Sequence, residues 1–300
     1  MTSKFSVLFE AEPHHSFDLV VAMAVYSQDR LSWVEQAVFS VLNQTYEDYF
    51  FVIVIDGQVS EEIFSFLNCF SQDNGNVVLV TSEKNVGLSC CMNFVIDWVT
   101  ANPKLSSIEY FFRMDSDDIS LPSRFLSQIS YFENNPNVDV LGTSLIEINE
   151  EGKRVGKRKL PASHGEILRV FPRRCAINHP TVAIRFRVFS AGFRYREELK
   201  NTQDYFFWTD LIAAGYRFAN LPEPLLEFRR VNDFYKRRGL SKSLNEFKAR
   251  FYTMKKLNRY TMGNVVYAFA VLVLRLMPAK IVKLAYKLDR YLLNRWVKHE

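Results

Sequence analysis

The chain has 300 residues, 48% of them hydrophobic and 24% charged, with no internal repeats and no low-complexity segments. It can bury a substantial core and sits at the upper end of single-domain size, so one catalytic domain plus an appendage is expected. The four cysteines, Cys69, Cys90, Cys91 and Cys175, have neither the paired spacing of a zinc site nor the density of a secreted disulfide scaffold, which fits a reducing, cytoplasmic compartment. The net charge of +5 hides a division: residues 236–300 carry 16 Lys and Arg against 3 acids, while the preceding part carries 22 against 30. An acidic body with a basic tail implies an anionic partner for the tail, either nucleic acid or a membrane surface.

Residues 1–16 lack a basic segment followed by an apolar run of signal-peptide length, because Glu10 and Glu12 interrupt it. They read as a short, weakly ordered extension. Residues 18–25 (DLVVAMAV) predict a strand, and residues 31–43 a helix, with Val34, Ala37, Val38, Val41 and Leu42 at helical spacing. The run 49–55 (YFFVIVI) predicts a second strand ending at Asp56-Gly57, followed by a helix over 63–70 and a third strand over 77–81. Leu88, Met92, Val95, Ile96 and Val99 mark a helix, residues 110–114 a fourth strand, and residues 122–132 a helix with proline near its first turn. Beyond residue 138 the pattern loosens into extended pieces at 138–148 and 181–185, before a helix at 204–214 ending at Gly215 and a short strand at 224–229.

Strands apolar on both faces that alternate with helices indicate βαβ units and a mostly parallel central sheet flanked by helices. Ligands of such sheets bind beyond the carboxyl ends of the strands. Four polar segments therefore face the expected ligand: residues 26–30, 56–57, 83–87 and 115–118. In the last, Asp115, Asp117 and Asp118 follow an apolar strand directly. Three carboxylates so close repel one another unless a cation compensates, and Mg²⁺ or Mn²⁺ held by one or two carboxylates and by substrate phosphates is the simplest one. Arg113 would add positive charge on those phosphates. The same segment also reads as a solvated turn capping the next helix, and Asp56-Gly57 as ordinary turn chemistry.

The wording of these segments resembles the family 2 glycosyltransferases of the GT-A fold from about Asp18 to Arg238. VVAMAVYSQDR and VEQAVFSVLNQTYEDYFFVIVIDG resemble that family's opening strand, helix and second strand, NVGLSCCMNFVID its N-x-G-L-s-x-x-x-N element, and RMDSDDISLPSRF its aspartate motif. The resemblance implies a donor site of Val25, Tyr26, Asp56, Asn85, Gly87, Arg113 and Asp115, with Asp56 at the nucleotide base and Asp115 and Asp117 on the metal. INHPTVAIR resembles the family's His-Pro segment, which puts His179 at the acceptor. NTQDYFFWTDLIAAGYRF resembles the region of the catalytic base, with Asp204 as base and Gln203 where many members have Glu. The single aspartate of Ile55-Asp56-Gly57 and the segment FRRVNDFYKRRG are similar to a subset that builds bacterial capsule, exopolysaccharide and lipopolysaccharide sugars. By their residues alone, Asp204 is equally placed to cap its helix and His179 to be structural.

The expectation is thus an inverting, divalent-metal-dependent transfer from a nucleotide-diphosphate sugar to a saccharide acceptor, lipid-linked, at the inner face of the plasma membrane. Inversion is implied by the resemblance alone. The expected division is an extension over 1–16, a nucleotide-sugar half over 17–137, an acceptor half over 138–238 and a basic amphipathic helical tail over 239–300. In the tail, the apolar run 264–277 is shorter than the ~20 residues needed to span a bilayer. Residues 281–296 have amphipathic spacing with basic flanks and Tyr and Trp anchors, suited to peripheral contact with an anionic membrane; packing of a helical pair on the catalytic domain is the other reading. No nucleic-acid motif accompanies the tail, so nucleic acid is not expected as a partner. Rival readings are a sugar-nucleotide-forming nucleotidyltransferase, which usually needs a glycine-rich loop that MAVYSQDR lacks, and a catalytically silent saccharide-binding protein.

Overall fold

Continuous runs of Val, Ile and Phe can be covered only from both sides, and the first half of the chain does this with helices. The computed structural model describes residues 4–9, 17–199, 201–231 and 240–275. Strands β1 (Phe5–Phe9) and β2 (Leu19–Tyr26), helix α1 (Leu31–Leu42), β3 (Tyr49–Asp56), α2 (Glu61–Asp73), β4 (Val77–Ser82), α3 (Leu88–Ala101) and β5 (Tyr110–Asp115) follow in order. The alternation of side chains along each strand divides the core in two. From β2, Leu19, Val21, Met23 and Val25 join Val34, Ala37 and Val38 of α1 and Ile63 and Leu67 of α2 on one face. Val20 and Ala22 join Met92, Val95 and Ile96 of α3 on the other. Each such side chain stabilises the fold by about 1.5–3 kcal/mol relative to exposure.

The second half comprises β6 (Ile119–Ser120), α4 (Arg124–Asn134), β7 (Val140–Ile148), β8 (Arg154–Arg158), α5 (His164–Val170), β9 (Ala183–Arg185), α6 (Arg187–Ser190), α7 (Gln203–Ala213), β10 (Phe218–Arg229), α8 (Leu240–Lys256) and α9 (Met262–Arg275). The sheet order is β1-β4-β3-β2-β5-β9-β7-β10-β6, with β8 beside β7. Strands β4, β3, β2 and β5 are mutually parallel, as the βαβ pattern requires, and β7 and β10 form a second parallel pair. Strands β1, β6, β8 and β9 run antiparallel to their neighbours.

Three expectations change or gain detail. Residues 5–9 are an edge strand paired with β4, with Phe5 stacked on Phe94 of α3 at 4.4 Å; one aromatic anchor and a free sheet edge order a segment whose composition looks like an extension. The strand expected at 224–229 begins at Phe218, because Pro222 and Pro224 are accommodated where the β7 register shifts, between Leu221 and Pro224 and again before Glu227. The helical tail expected from residue 239 opens with α8, whose own bounds were not read from the residues although Leu240, Leu244, Phe247, Phe251 and Met254 fall at helical spacing. It is held by tertiary contacts: Thr209 of α7 and Thr253 of α8 share a 2.8 Å hydroxyl hydrogen bond, and Arg250 Nε donates to the Arg173 carbonyl at 2.7 Å.

The apolar run expected at 264–277 is α9, which docks on the domain through Arg173 Nε donating to Asn264 Oδ1 at 2.9 Å. Among the described residues no helix is long and apolar enough to cross a membrane. The amphipathic stretch expected at 281–296 lies outside the described residues, as do residues 232–239 of the FRRVNDFYKRRG segment.

Candidate active site

Parallel pairing lines up the strand ends that were expected to face a ligand. In the register, Tyr26 stands beside Asp56, Asp56 beside Ser82, and Ala24 beside Asp115, so four neighbouring strands deliver their terminal polar groups to one edge, about 4.8 Å apart per strand.

At β3, Asp56 is buried and its carboxylate is saturated by the following loop: Oδ1 accepts from Val86 N at 2.7 Å and Oδ2 from Gly87 N at 2.9 Å. Asn85 Nδ2 donates to the Asp56 carbonyl at 3.4 Å. The turn requires glycine at 57, because φ there is 82° and a Cβ would stand 2.6 Å from the Asn85 nitrogen. Asp56, Asn85 and Gly87 are thus one unit, with Tyr26 alongside. Val25 is different: its side chain lies in the core beneath the sheet, so only its backbone can meet a donor.

At β5, one carboxylate oxygen from each of Asp115, Asp117 and Asp118 lies within 4.8 Å of the other two. Burial, then repulsion from Asp115 and Asp29, pushes the Asp117 carboxyl up to about 7. Asp118 is fully buried and is raised well above the usual carboxylate range by burial and by Asp117. Its Oδ1 accepts from Arg229 N at 2.8 Å, whereas its Oδ2 has no partner among the described residues. Arg113, also buried, forms an ion pair with Asp115 through Nη2, and its Nε and Nη1 have no hydrogen-bond partner among the described residues. Converging acids with an orphaned buried oxygen, next to a guanidinium with orphaned donors, are suited to a divalent cation and a diphosphate together.

Two arginines and one aspartate that the sequence did not single out build this edge. Arg124 is wholly buried on α4; it donates from Nη2 to the Arg113 carbonyl at 2.7 Å and from Nε to Gln128 Oε1 at 3.1 Å. Burial pulls its guanidinium down to about 9, against the opposing pull of Asp118. Arg229, at the end of β10, donates from Nε to the Asp117 carbonyl at 2.8 Å and from Nη2 to Gln36 Oε1 at 2.6 Å. Asp29 accepts from Tyr26 N at 2.9 Å and Ser116 Oγ at 2.8 Å, and burial pushes it up to about 6. Asp29 and Arg124 lie inside segments already flagged, so the signal was present at the segment and absent at the residue.

Asn93 closes the strongest long-range link. It ends the N-x-G-L element, and its amide both donates to the Tyr195 carbonyl and accepts from the Tyr195 N–H, each at 2.8 Å, while Nδ2 also reaches Glu197 Oε1 at 3.0 Å. Asn93→Ala is expected to destabilise the protein by about 2–4 kcal/mol in urea unfolding, because it strands two buried backbone groups. A loss below about 0.5 kcal/mol, the scale of an ordinary surface change, would contradict that reading.

Tyr195 in turn holds His179, the residue expected at the acceptor. His179 is buried between Tyr195 and Trp208, at centroid distances of 5.5 and 5.7 Å, and its Nε2 is 3.2 Å from the Tyr195 hydroxyl. Burial, and secondarily the charge of Arg113, pushes the imidazole well below its ordinary range, so it is neutral and a hydrogen-bonding group rather than an acid. Asp204 lies in the first turn of α7. Burial raises its carboxyl, while the Tyr205 N–H and the Arg113 charge act the other way. Thr202, just before the helix, adopts a left-handed φ of 61° and gives no side-chain cap; a non-glycine residue in this region is strained, and such strain clusters at functional sites. Asp115, Asp204 and His179 all share an electrostatic neighbour in Arg113. The structure therefore brings Asp115, Asp204 and His179 around one arginine, leaves Asp56, Asn85 and Gly87 as a separate unit at the neighbouring strand ends, and puts the side chain of Val25 in the core.

The model of "Glycosyl transferase family 2" matches residues 20–193. The chain is 33% identical over 274 residues to the amylovoran biosynthesis glycosyltransferase AmsE of Erwinia amylovora, spanning 90% of this chain and 98% of that one. It is 26% identical over 272 residues to a UDP-Gal:alpha-D-GlcNAc-diphosphoundecaprenol beta-1,3-galactosyltransferase of Escherichia coli, spanning 89% and 94%. Among solved structures it resembles S. aureus TarS 1-349 in complex with UDP-GlcNAc, with TM-score 0.61, 15% identity, and coverage of 86% of this chain and 72% of that one. It also resembles the mannosyltransferase PcManGT from Pyrobaculum calidifontis in complex with GDP-Man and Mn²⁺, with TM-score 0.53, 12% identity, and coverage of 98% and 86%. At these identities the structural likeness is one of fold.

Proposed function

Because this chain belongs to glycosyl transferase family 2 and is a glycosyltransferase of the GT-A fold, we propose that it transfers a sugar, with inversion, from a nucleotide-diphosphate sugar to a hydroxyl of a lipid-linked saccharide in bacterial surface polysaccharide biosynthesis. The observation that carries the donor part is the acid cluster at the end of β5, with its orphaned Asp118 Oδ2 beside the orphaned donors of Arg113. The acceptor part is supported by the activities of the relatives, one of which is named as acting on a diphosphoundecaprenol-linked sugar. Peripheral contact with an anionic membrane at the cytoplasmic face belongs to the same reading.

Asp115 and Asp117 would hold a divalent cation, Mn²⁺ or Mg²⁺, with Asp118 behind them. When bound, that cation neutralises charge developing on the leaving nucleoside diphosphate. Arg113 binds the diphosphate through its remaining N–H groups while paired with Asp115. Asp56, fixed by the 86–87 backbone and backed by Asn85, positions the nucleotide base beside Tyr26 and the Val25 backbone. Asp204 takes the proton of the acceptor hydroxyl as that oxygen forms its bond to the anomeric carbon and the sugar–phosphate bond breaks. Its raised pKa brings it toward the operating pH of a general base. His179, neutral and held by Tyr195, orients the acceptor.

The test is calorimetry of nucleoside diphosphates in the presence and absence of Mn²⁺, followed by a panel of nucleotide sugars read by diphosphate release. Metal-dependent binding of at least one nucleoside diphosphate is expected. Its absence across the panel would refute the donor site and favour a saccharide-binding role.

A further inference from the structure

Helix α9 carries two stripes of contact where a helix docked on a globular body needs one. On the inner stripe, Asn264 and Ala268 are buried, with Asn264 tied to Arg173. On the outer stripe, Met262, Val266, Phe269 and Val273 follow at steps of 4, 3 and 4 residues, and they are 80%, 57%, 51% and 52% exposed. Val266, Phe269 and Val273, with Val265, Ala270 and Leu274, line an open groove of about 500 Å³. Phe269 rests edge-on against Phe247 of α8 at 5.1 Å, so the apolar surface continues toward Leu244, which is 44% exposed. Large exposed apolar surface of this kind marks an interaction face.

The charge around the stripe says what covers it. Lys248, Lys255, Lys256 and Arg259 are exposed on α8 and in the turn that leads to α9, and Tyr260 in the same turn is exposed beside them. From 247 to 288 the chain has nine Lys and Arg and no Asp or Glu. A protein partner would have to match both an apolar helix face and an unrelieved cationic rim. An anionic bilayer does so without a specific shape, since headgroups meet the cations, the interface takes the tyrosine, and acyl chains take the apolar stripe. Helix α9, with 14 residues, is about 21 Å long and lies in such an interface rather than crossing it.

We infer that the outer stripe of α9 and the α8–α9 turn form a docking surface for an anionic phospholipid bilayer, with α9 lying in the plane of the interface. This deepens the membrane contact proposed above, and its purpose, though not its geometry, rests on the proposed lipid-linked acceptor. The experiment is co-sedimentation of the full chain with vesicles of phosphatidylcholine alone and with phosphatidylglycerol. The protein binds the mixed vesicles and barely binds the neutral ones. Lys255→Gln with Lys256→Gln weakens binding roughly 25-fold, at about 1 kcal/mol per cation near the surface, and added salt weakens it further. Val266→Asp and Phe269→Asp, separately, weaken it by more than about tenfold with unchanged circular dichroism.

Equal binding of wild type and Val266→Asp would overturn the inference, as would no binding by the full chain. Light scattering that shows a dimer dissolved by Phe269→Asp would assign the face to a second copy instead. Protection of residues 262–273 from hydrogen exchange without vesicles, lost on removing 276–300, would assign it to this chain's own tail. Transfer to a water-soluble acceptor keeps the two readings apart. Variants that lose vesicle binding retain it, whereas vesicle binding without any transfer by wild type would sink the proposed function and leave the docking surface standing.

Discussion

Replacing Asp204 by asparagine is expected to lower turnover by about 10²–10⁴-fold, the contribution of a positioned general base, with donor binding unchanged. The side chain keeps its size and its place in the first turn of α7, so what is lost is the proton acceptor. Burial raises the Asp204 carboxyl, and only its ionised form accepts a proton. Turnover of the native enzyme therefore falls as pH drops through that raised pKa, and this acid limb lies above the ordinary carboxylate range. In Asp204→Asn the residual rate lacks the limb. The measurement is kcat against pH with saturating donor and metal. Native turnover in the variant would remove Asp204 from the proton transfer and leave it the capping role that the Tyr205 N–H contact already provides.

Asp117→Asn is expected to abolish metal-dependent donor binding while stabilising the ligand-free fold. The second effect follows from linkage. The Asp117 carboxyl sits at about 7 in the folded protein against 3.8 for an unperturbed group, so between those values the folded state binds more protons than the unfolded one. Stability of the ligand-free protein therefore falls as pH rises from about 4 to 7, by on the order of 2–4 kcal/mol for this group. Glu166 and Glu197 have lowered pKa values and act in the opposite sense. The difference between native and Asp117→Asn proteins isolates the cluster. In chelator at pH 8 the variant unfolds at higher urea than the native chain, and at pH 4 the gap closes. Mn²⁺ narrows the gap from the native side only, because a ligand that binds the folded state alone stabilises it by mass action. A gap that is constant with pH would show that Asp117 is not held protonated by its neighbours.

Stabilisation by removing an acid, combined with loss of donor binding, separates a site from a solvated turn. An acidic turn capping α4 would lose stability, or show no change, on neutralisation. The orphaned Asp118 Oδ2 and the orphaned nitrogens of Arg113 are the structural counterpart of that cost.

What could be read from the residues was everything with a short period. Strands β2 to β5 and helices α1 to α4 follow from apolar runs and helical spacing, because both faces of a parallel strand are buried and neither needs a distant partner to be recognised. Asp56, the 85–87 loop and Asp115 to Asp118 were legible because they stand directly after such runs. Strand β1, the bounds of helix α8 and the start of β10 were not, since each is held by partners far along the chain: Phe5 by Phe94, Thr253 by Thr209, and residues 218–221 by β7.

By itself the sequence determined the parallel half of the sheet, the strand ends where a ligand is expected, and the concentration of positive charge after residue 236. Only the tertiary structure decided that Asp56 spends its carboxylate on the 86–87 backbone, that Arg124 and Arg229 hold the acid loop, and that Asn93 carries the donor half to Tyr195 and so to His179. It also decided which face of α9 is left in water. The reason is the same in each case. Local spacing places a side chain on a face or at an end, whereas hydrogen-bond partners and burial depend on which distant segment the packed sheet brings against it.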